Sequence, residues 1–141
     1  MNALASQVRL RAGDCCEYCL LPQGAFRRPF HIEHIVARQH GGSSTFDNLA
    51  LARWQCNLKK GPNLTGIDPQ TRWIAPLFHP RQDRWADHFA LGVETLMPSG
   101  VGIQGLTPAG RATVRLLGLN EEMRQMLRYE LWREAKYGGP K

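Results

Sequence analysis

The stretch from residue 31 to residue 61, HIEHIVARQHGGSSTFDNLALARWQCNLKKG, predicts two short strands followed by a short helix. HIEHIVA and LALA are short runs in which apolar residues recur, and GGSS is a turn sequence between them. RWQCNLKK then suits a helix, which Gly61 and Pro62 end in the usual order. A hairpin that packs against one helix is therefore expected, and the fold class is α+β.

Four polar side chains of this stretch converge if the hairpin packs against the helix. Glu33 and His34 lie on the first strand, Asn48 begins the second and Asn57 lies on the helix. A carboxylate, an imidazole and an amide oxygen are groups that one hard divalent cation and one activated water use. The stretch therefore predicts a metal-dependent hydrolytic site.

The same residues resemble the sequence motif of the HNH endonuclease family. The matching elements are the acid–His pair Glu33-His34, the D-N-L step at 47–49, the C-N-x-x-K step at 56–60 and the upstream C-x-x-C at 16–19. The resemblance covers residues 13–61 and implies a ββα-metal core, a hairpin and helix around one metal ion. It also implies single-metal hydrolysis of phosphodiester bonds, leaving a 5′-phosphate and a 3′-hydroxyl.

The resemblance implies a role for each polar side chain. His34 is the expected general base, which takes a proton from the attacking water. Asn57, with Glu33 or His31, is the expected ligand set of a catalytic Mg²⁺ or similar ion, which offsets charge on the phosphate. Asn48 is grouped with the catalytic residues because its amide can bond backbone across the hairpin and hold His34 in place.

Strand alternation complicates this ligand set. In a regular strand His31 and Glu33 face one side while His34 faces the other. Glu33 and His34 therefore share one metal only if the strand twists or ends near His34, or if Glu33 acts indirectly. His31 is for this reason a second candidate ligand or base.

Cys16, Cys19 and Cys56 form an incomplete zinc motif. A C-x-x-C in a chain without an export signal favours a metal site over disulfides. In the resembled family a second C-x-x-C completes a four-Cys structural zinc site, but the required position holds Arg53. Three outcomes stay open: a water or His40 completes the Zn²⁺ shell, Zn²⁺ binds weakly, or the site is empty and packing holds the fold.

The chain is basic, which favours a polyanionic partner. Its 141 residues include 18 Lys and Arg against 12 Asp and Glu, a formal net charge of +6 at pH 7. Beside a metal-nuclease motif this surplus predicts binding to nucleic acid, with double-stranded DNA as the expected substrate. His79 and His88 are candidates for approaching the scissile phosphate, on sequence proximity alone. The candidate nucleic-acid-binding residues are Arg38, Lys59, Lys60, Arg81 and Arg84.

The expected organisation is one compact domain built from three segments. Residues 1–62 hold an N-terminal helix and the nuclease core with its zinc knuckle, residues 63–106 a β-rich extension packed on the core, and residues 107–141 a pair of helices. Asp68 starts the turn of a hairpin, and Thr107 caps the first of the two helices.

Packing expectations for the extension follow from its apolar residues. DRWADHFAL is expected to form a strand, and Asn120 is expected to cap the last helix. The arginines of the two C-terminal helices are expected to widen the basic surface. The expected core aromatics are Trp73, Phe78, Trp85 and Phe89. The apolar stripe of the last helix, facing the core or a second copy, comprises Met123, Met126, Leu127, Leu131 and Trp132.

The expected compartment is the cytoplasm and no membrane contact is expected. No apolar run approaches the roughly 20 residues that cross a bilayer, and the first residues lack the apolar centre of a secretory signal. A homodimer is an open alternative to a monomer, because two subunits would cleave both strands of DNA more easily than one.

Two other interpretations stay open. A catalytically inactive HNH-like module that binds nucleic acid is favoured by the thiol missing at Arg53, whereas the presence of Glu33, His34 and Asn57 argues against it. A purely structural zinc-knuckle adaptor explains the thiols but not the acid, His and Asn set.

Overall fold

The computed structural model describes residues 3–92 and 99–137, which form short helices and hairpins. The helices are α1 (Ala3–Arg11), α2 (Trp54–Lys60), α3 (Trp85–His88), α4 (Pro108–Leu116) and α5 (Glu122–Arg133). The strands are β1 (His31–His34), β2 (Leu49–Ala52), β3 (Thr65–Ile67), β4 (Ile74–Pro76), β5 (Phe89–Gly92) and β6 (Gly102–Gly105). They pair antiparallel as β1–β2, β3–β4 and β5–β6. The α+β class is confirmed, and residues 93–98 of the expected β-rich extension lie outside the described residues.

The first hairpin and α2 form the expected ββα unit. His31 pairs with Ala52 and His34 with Leu49, so β1 and β2 match along their whole length. Every residue of β2 is buried, and α2 starts two residues later and contacts β1. Gly61 ends the helix with φ 51°, a backbone conformation that favours glycine.

One buried cluster joins this unit to both ends of the described chain. It includes Val8 of α1, Leu51 of β2, Phe89 of β5 and Leu131 of α5. The Tyr137 hydroxyl also donates to the backbone oxygen of residue 19 at 2.8 Å. Segments that precede this hairpin in the sequence and segments that follow it therefore share one core with the hairpin that carries the candidate site.

The second hairpin has the expected turn. The buried carboxylate of Asp68 accepts the backbone N–H of Gln70 at 3.0 Å and the hydroxyl of Thr71 at 2.9 Å. It also accepts Arg111 Nε and Nη2, both at 2.9 Å, which joins the hairpin to α4. The expected cap of α4 is confirmed as well, because Thr107 accepts the N–H of residue 110 at 3.0 Å.

Three expectations for the extension are wrong. Trp73 is not a core aromatic but is 77% exposed, whereas Phe78, Trp85 and Phe89 are buried as expected. The segment expected to be one strand begins with α3 and becomes β5 only at Phe89. Asn120 does not cap α5, because its amide exchanges two hydrogen bonds of 2.8 Å with the backbone of Ile103.

Helix α5 follows its expected apolar stripe only in part, since Leu131 is buried and Leu127 packs against the core. Met123 is 75% exposed, and Met126 and Trp132 are exposed too, whereas Arg124 and Arg128 are buried. The two arginines lie inside because backbone carbonyls meet them there, and they do not widen the basic surface as expected. None of the described helices combines the length and the apolar character that crossing a membrane requires.

Replacing Arg128 by Lys tests the interior role of α5. The guanidinium donates to Val101 O at 2.8 Å and to Leu119 O at 2.6 Å. An ammonium keeps the charge but lacks the planar fork, so we expect Arg128→Lys to lower the free energy of unfolding by about 2 kcal/mol. Urea denaturation measures it, with exposed Arg133→Lys as the control. Equal stability of the two variants would contradict a buried, forked Arg128.

Candidate functional site

The side-chain amide of Asn48 holds the segment that follows β1. Its Oδ1 accepts the Val36 N–H at 3.0 Å, and its Nδ2 donates to Val36 O at 3.0 Å and to Ser43 O at 2.8 Å. Its backbone oxygen accepts the Ile35 N–H at 2.9 Å. The expectation that Asn48 bonds backbone across the hairpin is confirmed, so the loop next to His34 has a fixed shape.

His34 lies at the end of β1, half-buried, beside this loop. Its Nε2 is 2.8 Å from Ser44 Oγ. A serine hydroxyl can donate its hydrogen to an unprotonated ring nitrogen, and the tautomer with the hydrogen on Nδ1 permits this. Asn48 and His34 are therefore brought to the same loop, one through the backbone of Ser43 and the other through the hydroxyl of Ser44.

Glu33 points into the protein rather than to the side of His34. It is 4% exposed, its Oε1 accepts a hydrogen bond from the Tyr18 hydroxyl, and its Oε2 lies 3.9 Å from Lys60 Nζ. Burial raises the pKa of Glu33 to about 7, although the Lys60 ammonium and the Tyr18 hydroxyl act in the opposite direction. Both carboxylate oxygens therefore have protein partners, as strand alternation predicts.

The other two candidate ligands lie on different parts of the ββα unit. Asn57 is half-buried on α2, the helix that contacts β1. His31 is exposed at the start of β1, about 10 Å along the strand from His34 at about 3.3 Å per residue. Asn57 thus lies on the helix that contacts β1, whereas His31 occupies the end of that strand opposite His34.

The lysines at the end of α2 differ from their expected exposure. Lys60 is 2% exposed and donates to Ile35 O at 2.9 Å, so the expectation of a solvated side chain that meets phosphate is wrong. A cation can be buried here because a carbonyl and Glu33 surround it. Lys59 is exposed as expected, and it pairs with Glu121 at 2.7 Å.

The three candidate arginines also differ from one another in exposure. Arg38 and Arg84 are exposed. Arg81 is half-buried, and its Nη2 pairs with Glu17, whose Oε2 accepts the Leu51 N–H at 2.9 Å. Arg81 is therefore held against the hairpin, whereas the side chains of Arg38 and Arg84 extend into solvent.

An open cleft of about 410 Å³ separates the hairpin loop from the segment that carries Arg81. On one side lie the residues held by Asn48, and on the other lies the turn after β4, with His79 at its start. The sequence suggested His79 as a residue near the scissile phosphate only because it lies close to the motif in the chain. In the structure His79 lines the cleft. The lining residues are Val36, Gly41, Gly42, Ser43, Asp47, Asn48, His79, Arg81 and Gln82.

The thiols of Cys16, Cys19 and Cys56 form a buried cluster. Their sulfur atoms lie within 4.8 Å of one another, so they could bind one metal ion. A structural zinc site has four ligands. His40 is exposed and is not part of this cluster in the described chain, so its proposed role as fourth ligand is not supported.

Two guanidinium groups lie around the cysteine cluster. Arg53, at the position of the missing thiol, stacks over the Phe26 ring at 4.4 Å and donates to Gln55 Oε1 at 2.6 Å. Arg124 Nη2 donates to Cys56 Sγ at 3.1 Å from inside the core. The side of the cluster where a fourth ligand would lie is therefore cationic.

Comparison with protein families identifies one match. Residues 16–63, about a third of the 141 residues, match the model of the HNH endonuclease family. The match covers both cysteines of the knuckle, β1, β2 and α2, which are the elements that form the cysteine cluster and carry His34, Asn48 and Asn57. Searches of curated proteins and of solved structures find no match.

The buried carboxyl of Glu33 makes stability depend on pH. An ordinary Glu releases its proton near pH 4.3, whereas folded Glu33 retains it to about pH 7. This contribution is complete below pH 4 and is lost as pH rises through 7. Relative to Glu33→Gln, which stays neutral, we expect the wild type to lose about 3 kcal/mol between pH 4 and 8.

Urea unfolding in EDTA at several pH values measures this difference. The exposed Glu122→Gln is the control, because its curve should follow the wild type. A constant difference between wild type and Glu33→Gln across this range would show that Glu33 is not a buried, protonated carboxyl.

Proposed function

We propose, because residues 16–63 match the model of the HNH endonuclease family, that the protein is a metal-dependent endonuclease that hydrolyses phosphodiester bonds in double-stranded DNA. The observation that supports this most directly is the loop fixed by Asn48 beside His34. It gives an imidazole a defined position beside Ser44, next to loop residues that line an open cleft. The ββα unit beneath it is what the family uses to hold one divalent ion.

His34 is the proposed general base. A base must lie within about 2.6–3.2 Å of the group whose proton it takes. The Ser44 hydroxyl already lies 2.8 Å from Nε2, so an oxygen at hydrogen-bond distance fits there. In the reaction the attacking water would replace this hydroxyl as the donor to Nε2, and Nε2 would take its proton.

The catalytic ion, Mg²⁺ or a similar cation, fits part of the expected ligand set. The amide oxygen of Asn57 suits a hard cation, whereas His31, the second candidate, lies about 10 Å along β1 from His34 at about 3.3 Å per residue and does not fit an ion beside His34. Glu33 would join only after losing its bonds to Tyr18 and Lys60, so we assign Glu33 to the contact between β1 and α2. When bound, the ion offsets charge on the phosphate and on the leaving oxygen.

Two exposed arginines, together with Lys59, are proposed to contact the DNA backbone. Arg38 follows β1 and Arg84 precedes α3, and both are exposed. Lys59 would have to leave Glu121 before it met a phosphate.

A homodimer stays a prediction, and the exposed Met123 and Trp132 on α5 would be its candidate contact.

A module that binds nucleic acid without cutting it is the second candidate. It is favoured by the position of Glu33, because an acidic metal ligand expected from the motif is turned into the core. Binding alone needs neither a base at His34 nor an ion at Asn57. A cleavage assay, rather than a measurement of affinity, therefore distinguishes the two functions.

Replacing His34 by Ala tests the nuclease proposal. We expect the wild type to nick supercoiled plasmid in Mg²⁺ or Mn²⁺ and to lose activity in EDTA. Because general-base catalysis contributes about 10²–10⁴-fold, His34→Ala should slow nicking by at least about a hundredfold with an unchanged melting temperature.

The matched control is His40→Ala, an exposed histidine on the loop after β1. It should retain wild-type nicking. Metal-dependent cleavage by His34→Ala at the wild-type rate would exclude His34 as the base. A wild type that binds plasmid without nicking it in either metal would support the binding module instead.

For the cysteine cluster we propose weak binding of Zn²⁺ by three thiolates. The three sulfur atoms are close enough for one ion, but Arg53 replaces the fourth thiol. The cluster is enclosed, since all three cysteines have 0% exposure, and this leaves little access for a water ligand. Arg124 donates to Cys56 Sγ at 3.1 Å, so its guanidinium would offset part of the negative charge of three thiolates.

Restoring the missing thiol tests this proposal. We expect Arg53→Cys to bind Zn²⁺ more tightly than the wild type by more than about 100-fold, because even the outer partners of metal ligands contribute about 10–100-fold. Arg53→Ser is the control for loss of the arginine alone. Competition with a zinc-binding dye measures all three proteins. Equal affinity of wild type and Arg53→Cys would show that three thiolates suffice.

A further inference from the structure

We propose that His79 binds a phosphate of the nucleic-acid backbone through its Nε2–H, across the cleft from the loop that Asn48 holds. The proposal deepens the proposed function and rests on it. His79 lies outside residues 16–63, so the family match does not include it. The role is substrate binding, separate from the chemistry at His34.

The backbone fixes which nitrogen of His79 carries the hydrogen. Nδ1 accepts the N–H of Arg81 at 3.1 Å and the N–H of Gln82 at 3.2 Å. Backbone N–H groups only donate, so Nδ1 is unprotonated and the hydrogen of the neutral ring is on Nε2. Burial lowers the pKa of His79, and the nearby charges of Arg81 and Lys60 act in the same direction against Asp83. The ring is therefore a neutral donor.

The turn around His79 holds the ring in one orientation. Its backbone N–H donates to Asp83 Oδ2 at 2.9 Å, and the Asp83 N–H donates back to His79 O at 2.8 Å. Arg81 joins the turn to Glu17, and Glu17 accepts the Leu51 N–H of β2. The turn is thus attached to the same hairpin that carries His34.

Two donors at this side of the cleft lack acceptors. Among the hydrogen bonds of residues 3–92 and 99–137, those of the His79 ring use Nδ1 and leave Nε2 without a partner. In the same part of the chain, Nη1 of Arg81 is buried without a hydrogen-bond partner. Both side chains line the cleft, but Arg81 Nη1 has almost no accessible surface, so an incoming ligand would supply an acceptor to Nε2 of His79 alone.

A phosphodiester oxygen is the acceptor that this donor fits. It takes a hydrogen bond from a neutral N–H, and it carries no base identity. The carboxylate that lines the cleft, Asp47, accepts the Thr45 hydroxyl at 2.5 Å and is exposed, so solvent screens its charge. The cleft would therefore recognise backbone rather than sequence.

Two substitutions separate the turn from the contact. Asn at position 79 places an acceptor near Nδ1 and keeps the turn, but it does not reach as far as Nε2. Gln reaches as far as Nε2 with an N–H donor. We expect His79→Asn to weaken DNA binding about tenfold with a preserved melting temperature, and His79→Gln to bind within about threefold of its parent.

The assay is fluorescence anisotropy of a labelled duplex of about 20 base pairs, with every variant made in the His34→Ala background so that no cleavage occurs. A neutral donor releases no counterion. The slope of log Kd against log salt should therefore not change in His79→Asn, whereas Arg38→Ala should lower it by about one.

The outcomes of this assay are independent of cleavage. Binding by His79→Asn at parental affinity, or no binding by the parent, would overturn the inference even if wild-type protein nicks plasmid. A tenfold loss with an unchanged slope would support it even if the wild type does not nick plasmid, in which case only the nuclease proposal fails. A loss accompanied by a smaller slope would assign a charged His79 and overturn the neutral-donor contact.

Discussion

The three side-chain hydrogen bonds of Asn48 are the constraint on which the candidate site depends. The connection between β1 and β2 is polar, rich in glycine and largely exposed, so little apolar packing fixes its shape. One amide joins both ends of that connection, at Val36 and at Ser43. The position of His34 relative to Ser44, and one wall of the cleft, follow from these bonds.

Buried charge is the second feature that shapes the protein. Glu33 and Lys60 meet inside the ββα unit, and Arg124 and Arg128 of α5 enter the core from the other side. Each has hydrogen-bond acceptors or donors there, which offset much of the cost of leaving water. These groups connect β1 to α2, and they connect α5 to α2 and to the segments before β6 and after α4. A domain of this size has few apolar residues with which to make such connections.

Much of the ββα unit could be predicted because its signals are local. The LALA strand, the end of α2 at Gly61 and the cap at Thr107 each depend on neighbours in sequence, and each is confirmed. The bonding of Asn48, which directly precedes β2, was predictable for a similar reason, since its side chain can reach backbone groups across its own hairpin. Alternation along β1 likewise predicted that Glu33 and His34 would face opposite sides.

The errors arose where a partner lies far away in sequence. Arg128 is buried because Val101 and Leu119 offer carbonyls to it, and no pattern within α5 shows those acceptors. Lys60 is buried because Ile35 and Glu33 surround its ammonium. An amphipathic pattern predicts that arginine and lysine side chains face water. Here hydrogen-bond partners that are distant in sequence hold these side chains in the interior instead.

The most direct test of the account is to locate the divalent ion without relying on activity. Mn²⁺ added in small amounts broadens the NMR signals of nuclei close to it. The account predicts that the side-chain amide of Asn57 and the ring of His34 broaden first. Signals of Asn57 and His34 that stay sharp, while those of Glu121 and Glu122 broaden, would contradict a metal site on the ββα unit.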